Sequence, residues 1–196
     1  MSTTQPIRNR ESLGRFKDYY GTENPNPRNN TLIILGLNTA LRISDMLQLK
    51  WKDIFDGEKK QIKEHLEIRE GKTGKENMIA LNDSIRSALY AYMEHSFCAQ
   101  EYDGEQYLFV SRKGKNTPIG RIQAYRIIRQ AASAIGLDSH ISCHSMRKTF
   151  GYHAWKQGIQ PALLMDLYNH SSYRITKRYL CIGQDEKDEV YRNINL

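Results

Sequence analysis

Ala40-Leu41-Arg42-Ile43-Ser44-Asp45-Met46-Leu47-Gln48-Leu49-Lys50-Trp51-Lys52-Asp53-Ile54 is the stretch from which the rest of the chain can be read. Leu41, Met46, Leu47 and Leu49 place an arginine inside an apolar run, so Arg42 is expected to be partly buried. Asp45, three residues on, shares its face of a helix and can orient the guanidinium. An ordinary ion pair within a helix explains the same spacing, and the stretch alone does not choose. Upstream, the spacing of Leu32, Leu35, Leu41, Met46 and Leu49 predicts helix over Thr31 to Leu49. Gly36-Leu37-Asn38 is the expected break, with Asn38 or Ser44 capping a second helix.

Downstream the period changes. Ile62, Leu66 and Ile68 alternate with Lys63, Glu67 and Arg69, Met78-Ile79-Ala80-Leu81 comes next, and Gly71-Lys72-Thr73-Gly74-Lys75 lies between them. This predicts a small antiparallel hairpin or a three-stranded sheet turning at the glycines. The Gly-Lys-Thr triplet is not a phosphate-binding loop. The glycine required five residues before Gly71 is Leu66, and a strand rather than a helix comes after it. Two readings of the lysine stay open: a solvated turn, or a cation held at a hairpin tip where it reaches a phosphate or a leaving group. Asn82-Asp83 caps a helix to about Phe97, and Tyr107 to Val110 is expected to be a short strand. From Ile119 onward the pattern is helical, interrupted at Gly136, Gly158-Ile159-Gln160-Pro161, His170-Ser171-Ser172 and Gly183. At the other end, an amphipathic helix starts near Arg10 and Gly21 to Asn30 reads as a loop. The expectation is one α+β, mainly helical domain over 1–196, with an N-terminal helix and loop (1–30) and a C-terminal tail helix (183–196).

Composition sets the class of partner. Of 196 residues, 39% are hydrophobic, a globular proportion, and the apolar run Leu32 to Leu41 is too short to span a bilayer. No secretory signal pattern is visible at the N-terminus. Cys98, Cys143 and Cys181 are scattered, without the spacing of a disulfide framework or a zinc site, which suits a reducing cytosol. The net charge of +7 suits a polyanionic partner. The charge is uneven: Lys113 to Arg129 carries no acid, whereas the tail after Gly183 opens with Asp185, Glu186, Asp188 and Glu189.

His144-Ser145-Met146-Arg147 sets an imidazole and a guanidinium on one helix face, and Tyr168-Asn169-His170-Ser171-Ser172 precedes Tyr179 by a short interval. Each is common by itself. In order, Arg42 with Asp45 and Leu49-Lys50-Trp51-Lys52-Asp53, Lys72 in a hairpin, the HxxR of His144 and Arg147, His170-Ser171-Ser172, and Tyr179 nine residues after His170 resemble the tyrosine recombinase (phage integrase) family over nearly the whole chain. The resemblance implies that Arg42 and Arg147 clamp the scissile phosphate, that Asp45 supports Arg42, and that Lys72 protonates the leaving 5′ oxygen. It further implies that His144 and His170 bond or relay protons and that Tyr179 is the nucleophile. Two departures concern neighbours of these groups: Ser145-Met146 where the family commonly has Asp-Leu or Gly-Leu, and Tyr168-Asn169 where it prefers Leu-Gly.

Elementary chemistry agrees with those roles. Transesterification at a phosphodiester passes through five-coordinate phosphorus with added negative charge on the non-bridging oxygens, where two permanently charged, bidentate guanidiniums are well matched. A tyrosine hydroxyl, with an ordinary pKa of about 10, needs a proton acceptor, and the leaving alkoxide needs a donor. No carboxylate cluster for a catalytic metal is apparent, and a phosphotyrosyl link conserves bond energy, so the expectation is chemistry without metal, ATP or other cofactor. The implied function is site-specific DNA recombination or integration on double-stranded DNA through a 3′-phosphotyrosyl intermediate. A homo-tetramer on DNA and a cytoplasmic, bacterial or phage setting are implied as well. Two alternatives are a DNA-binding regulator that keeps the fold without cleaving and a type IB topoisomerase-like enzyme. About 30 residues precede the Arg42 region, fewer than the DNA-clamping N-terminal domain of most members, so either a catalytic fragment or a compact form resembling the short fimbrial invertases is expected.

Overall fold

The computed structural model describes residues 4–97, 101–137 and 140–194. Asn9 starts α1 (Arg10–Asp18) by accepting a hydrogen bond from the Ser12 amide, and Phe16 anchors the helix in the core. Helix α2 (Pro27–Asn38) begins inside the segment expected to be a loop. Asn26 caps it through the Asn29 amide, and Pro27 occupies a first-turn position, where its missing N–H is no loss.

The expected break at Gly36-Leu37-Asn38 falls at its last residue, Asn38, where α2 ends. Gly36 lies inside α2, and a Cβ there would stand 2.5 Å from the Met146 Cε. The glycine is a packing notch and not a helix end. The turn comes later, at Ala40, whose φ of 53° is left-handed. Arg42 is then the N-cap of the single-turn α3 (Ile43–Met46), so it is not mid-helix, and neither Asn38 nor Ser44 holds that cap.

Another short helix, α4 (Trp51–Ile54), leads into β1 (Phe55–Asp56). β1 pairs antiparallel with β2 (Gln61–Ile62), and β3 (His65–Arg69) pairs with β4 (Glu76–Ala80) in the register Leu66 to Ile79. The three-stranded alternative is thus replaced by two two-stranded sheets among the described residues. Tyr107 to Val110 forms no strand, only isolated bridges from Lys50 to Tyr107 and from Val110 to Pro118. Helix α5 (Asp83–Phe97) starts where expected, with the Asn82 side chain accepting from the Ile85 amide. Cys98 lies outside the described residues.

Then come α6 (Arg121–Ala134), α7 (Cys143–Lys156), α8 (Pro161–Tyr168), α9 (Tyr173–Tyr179) and α10 (Gln184–Asn193). No helix among the described residues is long and apolar enough to cross a membrane. Helix α2, fully apolar through its middle, packs between α5 and α7. A large core forms around it, and a second, smaller cluster gathers Ala40, Tyr152, Leu164, Tyr168, Leu180 and Ile182. The second cluster is the floor on which the candidate site is built.

Candidate active site

Arg42 is 18% exposed, and its Nη1 donates to the Glu70 Oε2 at 2.5 Å. The spacing in the sequence points to Asp45 as the partner instead. Because the guanidinium leaves from the N-cap of α3, it extends to the end of β3 rather than along its own helix. Asp45 accepts from the Gly71 amide at 3.2 Å and so supports the hairpin turn. Burial pushes the Glu70 carboxyl up, but hydrogen bonds from Arg42 and Thr73 outweigh it and hold the group below its ordinary range. Sequence reasoning does not single out Glu70. Its one signal is an acid placed where the strand ends and the glycine turn begins.

Ser142 caps α7 in a reciprocal arrangement in which its own amide donates to the Ser145 hydroxyl at 3.0 Å. That gives Ser145, inside the HxxR, a helix-starting role that an aspartate could fill equally well. Met146 fills the notch at Gly36. Arg147, 4% exposed, donates through Nη1 to the Ala40 carbonyl and through Nη2 to the Tyr168 carbonyl at 3.3 Å. Its guanidinium also lies 4.6 Å from the Tyr168 ring centroid. Tyr168 returns the bond, its hydroxyl donating to the Arg147 carbonyl at 2.5 Å. Tyrosine in place of leucine is therefore part of the Arg147 mount. Asn169 takes a left-handed conformation, φ 52° and ψ 44°, which asparagine adopts more readily than most residues in place of glycine. Its amide also donates to Glu70 at 3.1 Å.

Tyr179 ends α9. Its ring lies 5.4 Å from that of Tyr168 and 5.3 Å, edge to face, from that of His170. The hydroxyl is buried, and no partner meets hydrogen-bond geometry. Burial raises its pKa, while the nearby Arg147 charge pulls the other way. The His170 Nδ1 stands 3.1 Å from the Thr176 hydroxyl, which fixes the ring from within the helix that ends at Tyr179. Burial first, and then the charges of Arg147 and Arg42, lower the His170 pKa. His144 keeps one side open to solvent, but crowding on the other still costs it hydration. That loss, with the charges of Lys148, Arg147, Arg42 and Lys72, lowers its pKa too.

Lys72 sits fully exposed at the tip between β3 and β4. Lys148, overlooked in the sequence, is 3% exposed. Its ammonium donates to the Thr4 carbonyl at 2.6 Å and lies 5.4 Å from the Tyr179 ring centroid. All six candidates, Arg42, Lys72, His144, Arg147, His170 and Tyr179, thus belong to one cationic neighbourhood. A cleft of about 610 Å³ lined by Arg10, Lys17, Asn38, Phe150 and His153 contains none of them. Two guanidiniums and a tyrosine hydroxyl around two uncharged imidazoles can bind a phosphate diester and attack it.

The architecture is that of tyrosine recombinase catalytic domains. A crystal structure of the XerA recombinase superposes over the whole chain with a TM-score of 0.76 at 17% identity, the chain covering 66% of it. The XerH recombinase bound to a palindromic difH substrate, in a post-cleavage complex, superposes over 97% of the chain with a TM-score of 0.75 at 19% identity, 52% of that protein being covered. The chain belongs to the phage integrase family, whose model matches residues 11–184; it is a tyrosine recombinase/integrase, a DNA strand-transferring enzyme. It is 41% identical over 192 residues to the probable integrase/recombinase YoeC of Bacillus subtilis, covering 98% of this chain and 97% of that one. It is 30% identical over 152 residues to the type 1 fimbriae regulatory protein FimE of Escherichia coli, 78% of this chain and 73% of that one. By contrast it spans about half, 52%, of the tyrosine recombinase XerD of Corynebacterium glutamicum.

Proposed function

We propose that this chain recombines specific sites on double-stranded DNA through a 3′-phosphotyrosyl intermediate, with Tyr179 as nucleophile. The observation that carries the reading is the buried Tyr179 hydroxyl set beside the Arg147 guanidinium, with its ring against His170. Arg42 and Arg147 hold the non-bridging oxygens of the scissile phosphate. His170 or His144, uncharged near neutral pH, takes the phenolic proton as the Tyr179 oxygen bonds to phosphorus. The bond from phosphorus to the 5′ oxygen breaks, and Lys72 supplies that oxygen with a proton. A 5′ hydroxyl from a second strand reverses the steps and releases the tyrosine. Burial keeps Tyr179 protonated in the free protein, so the nucleophile is generated only beside a bound phosphate.

Incubation with nicked DNA that traps the cleaved strand tests the assignment. Tyr179→Phe is expected to form no covalent adduct while still retarding DNA in a gel. An adduct from that variant would move the nucleophile to another tyrosine.

The active assembly is a tetramer on DNA, joined through the tail. Val190 and Tyr191 of α10 and Ile194 just after it are exposed apolar residues, a surface for a neighbouring subunit. Among the described residues, the helix's ion pairs to its own domain run from Asp185 and Glu186 to Arg8 and from Glu189 to Lys156. Truncation after Ile182 should leave binding to a single DNA site and abolish strand exchange between two, read by gel retardation and by product formation.

A further inference from the structure

Glu70 has no step in the chemistry above, yet it is built into it more firmly than a surface carboxylate would be. The residue is 1% exposed, and its Oε2 accepts from three separate segments: Arg42 at 2.5 Å, Thr73 at 2.8 Å and Asn169 at 3.1 Å. Oε1 is buried with no partner. A buried carboxylate with half its acceptor capacity unused is expensive to keep, and its retention calls for a reason beyond folding.

The backbone of Glu70 gives that reason a direction. Its amide donates to the Lys75 carbonyl at 2.9 Å, and its carbonyl accepts from the Gly74 amide at 2.8 Å. The turn that carries Lys72 is therefore closed on Glu70, with the Thr73 hydroxyl as a further tie. The same carboxylate oxygen fixes one nitrogen of Arg42 and leaves the rest of that fork open. It also holds Asn169, the left-handed residue immediately before His170.

We propose that Glu70 is a positioning residue that sets the Lys72 turn against the Arg42 guanidinium, so that the proton donor and the phosphate clamp meet one substrate at a fixed separation. The inference rests on the transesterification proposed above. Without Glu70 the turn remains a hairpin, but its lysine loses its registration with the arginine.

Glu70→Gln, which keeps shape and removes charge, and Thr73→Val, which removes only the hairpin tie, test this on nicked trapping DNA in single turnovers. Wild-type protein must form the covalent adduct; its failure to do so would refute the transesterification reading itself and leave Glu70 no reaction to serve. Given that adduct, Glu70→Gln at saturating DNA is expected to cleave about tenfold more slowly, the scale of a small misplacement of reacting groups. A DNA carrying sulfur as the 5′ leaving atom needs no protonation. It should narrow the Glu70→Gln gap without closing it, because the Arg42 share remains, and should close the smaller gap of Thr73→Val completely. A Glu70→Gln rate equal to wild type, a loss that disappears at saturating DNA, or gaps untouched by the sulfur substrate would each overturn the proposal. Should Glu70→Gln not fold, Thr73→Val decides the matter alone, since a merely structural tie would not respond to the leaving atom.

Discussion

The mount of Arg147 and the hairpin of Lys72 solve opposite problems a short distance apart. Arg147 is buried, bonded to two carbonyls and stacked on Tyr168, which is bonded back to it. Lys72 is exposed, on a two-stranded hairpin whose strands alternate between solvent and partial burial. The difference reflects what each group does in the proposed reaction. Charge that stabilises a transition state acts best when fixed beforehand in a dry setting, where no reorganisation is needed as the reaction proceeds. A proton donor must instead reach a leaving atom set by the bound DNA, and a solvated lysine at the tip of a turn whose base is held by Glu70 can do so.

Arg147→Lys bears hardest on the buried half. A lysine there keeps the charge but cannot hold two carbonyls and a phosphate at once. A loss of about 2–4 kcal/mol in transition-state stabilisation is expected from single-turnover cleavage. Unlike a purely catalytic lesion, it should also lower unfolding free energy by about 1–3 kcal/mol in a denaturant titration, because buried carbonyls lose their donors. Unchanged stability would erase the contrast between mount and hairpin.

Lys72→Ala is the matching experiment on the exposed half. Cleavage should fall by about 10²–10⁴-fold, the range of a lost general acid, with no change in melting temperature. A 5′-sulfur leaving group should restore most of the rate.

The smallest effect concerns pH and again separates the halves. His144 and His170 have pKa values below the unfolded value of about 6.5, through burial and neighbouring cations. Between the folded and unfolded values the unfolded chain binds more protons, so stability rises with pH there. The full contribution is present above the unfolded value and is lost as pH falls through the folded ones. Melting curves should therefore shift down on acidification below that value, less so in His170→Asn, and only slightly less so in Lys72→Ala, which removes one of the cations that lower the His144 pKa.

The same contrast explains what could be read from the residues alone. The hairpin and its turn announce themselves by alternation and glycine spacing, both local. Helix α5 is likewise legible, from the Asn82-Asp83 signal at its start. The Arg147 mount is not, because it joins Ala40, Arg147 and Tyr168 across the chain and no local pattern encodes a main-chain carbonyl as partner. Asp45 misleads for a related reason: spacing pairs it with Arg42 only if both sit within one helix, and the left-handed turn at Ala40 makes Arg42 a cap. Gly36 misleads because glycine marks both helix ends and close packing, and only Met146, more than a hundred residues away, distinguishes them. Glu70, Lys148, Tyr168 and Asn169 lie around the proposed reactive groups and have no step of their own in the proposed reaction, so the chemistry of the residue types does not single them out.

The span from Ala40 to Arg147 also has a meaning in time. Arg42 leaves the ribosome early, His144 and Arg147 far later, and Tyr179 later still, so at about 5–20 residues per second roughly 7–27 s of synthesis separate the first residue of the proposed clamp from the proposed nucleophile. Until Arg147 emerges, the carbonyl of the left-handed turn at Ala40 lacks the guanidinium that donates to it. In the proposed reaction, a growing chain therefore carries a basic surface that meets DNA before it has any means of breaking it, and competence to cut arrives only with the last helices.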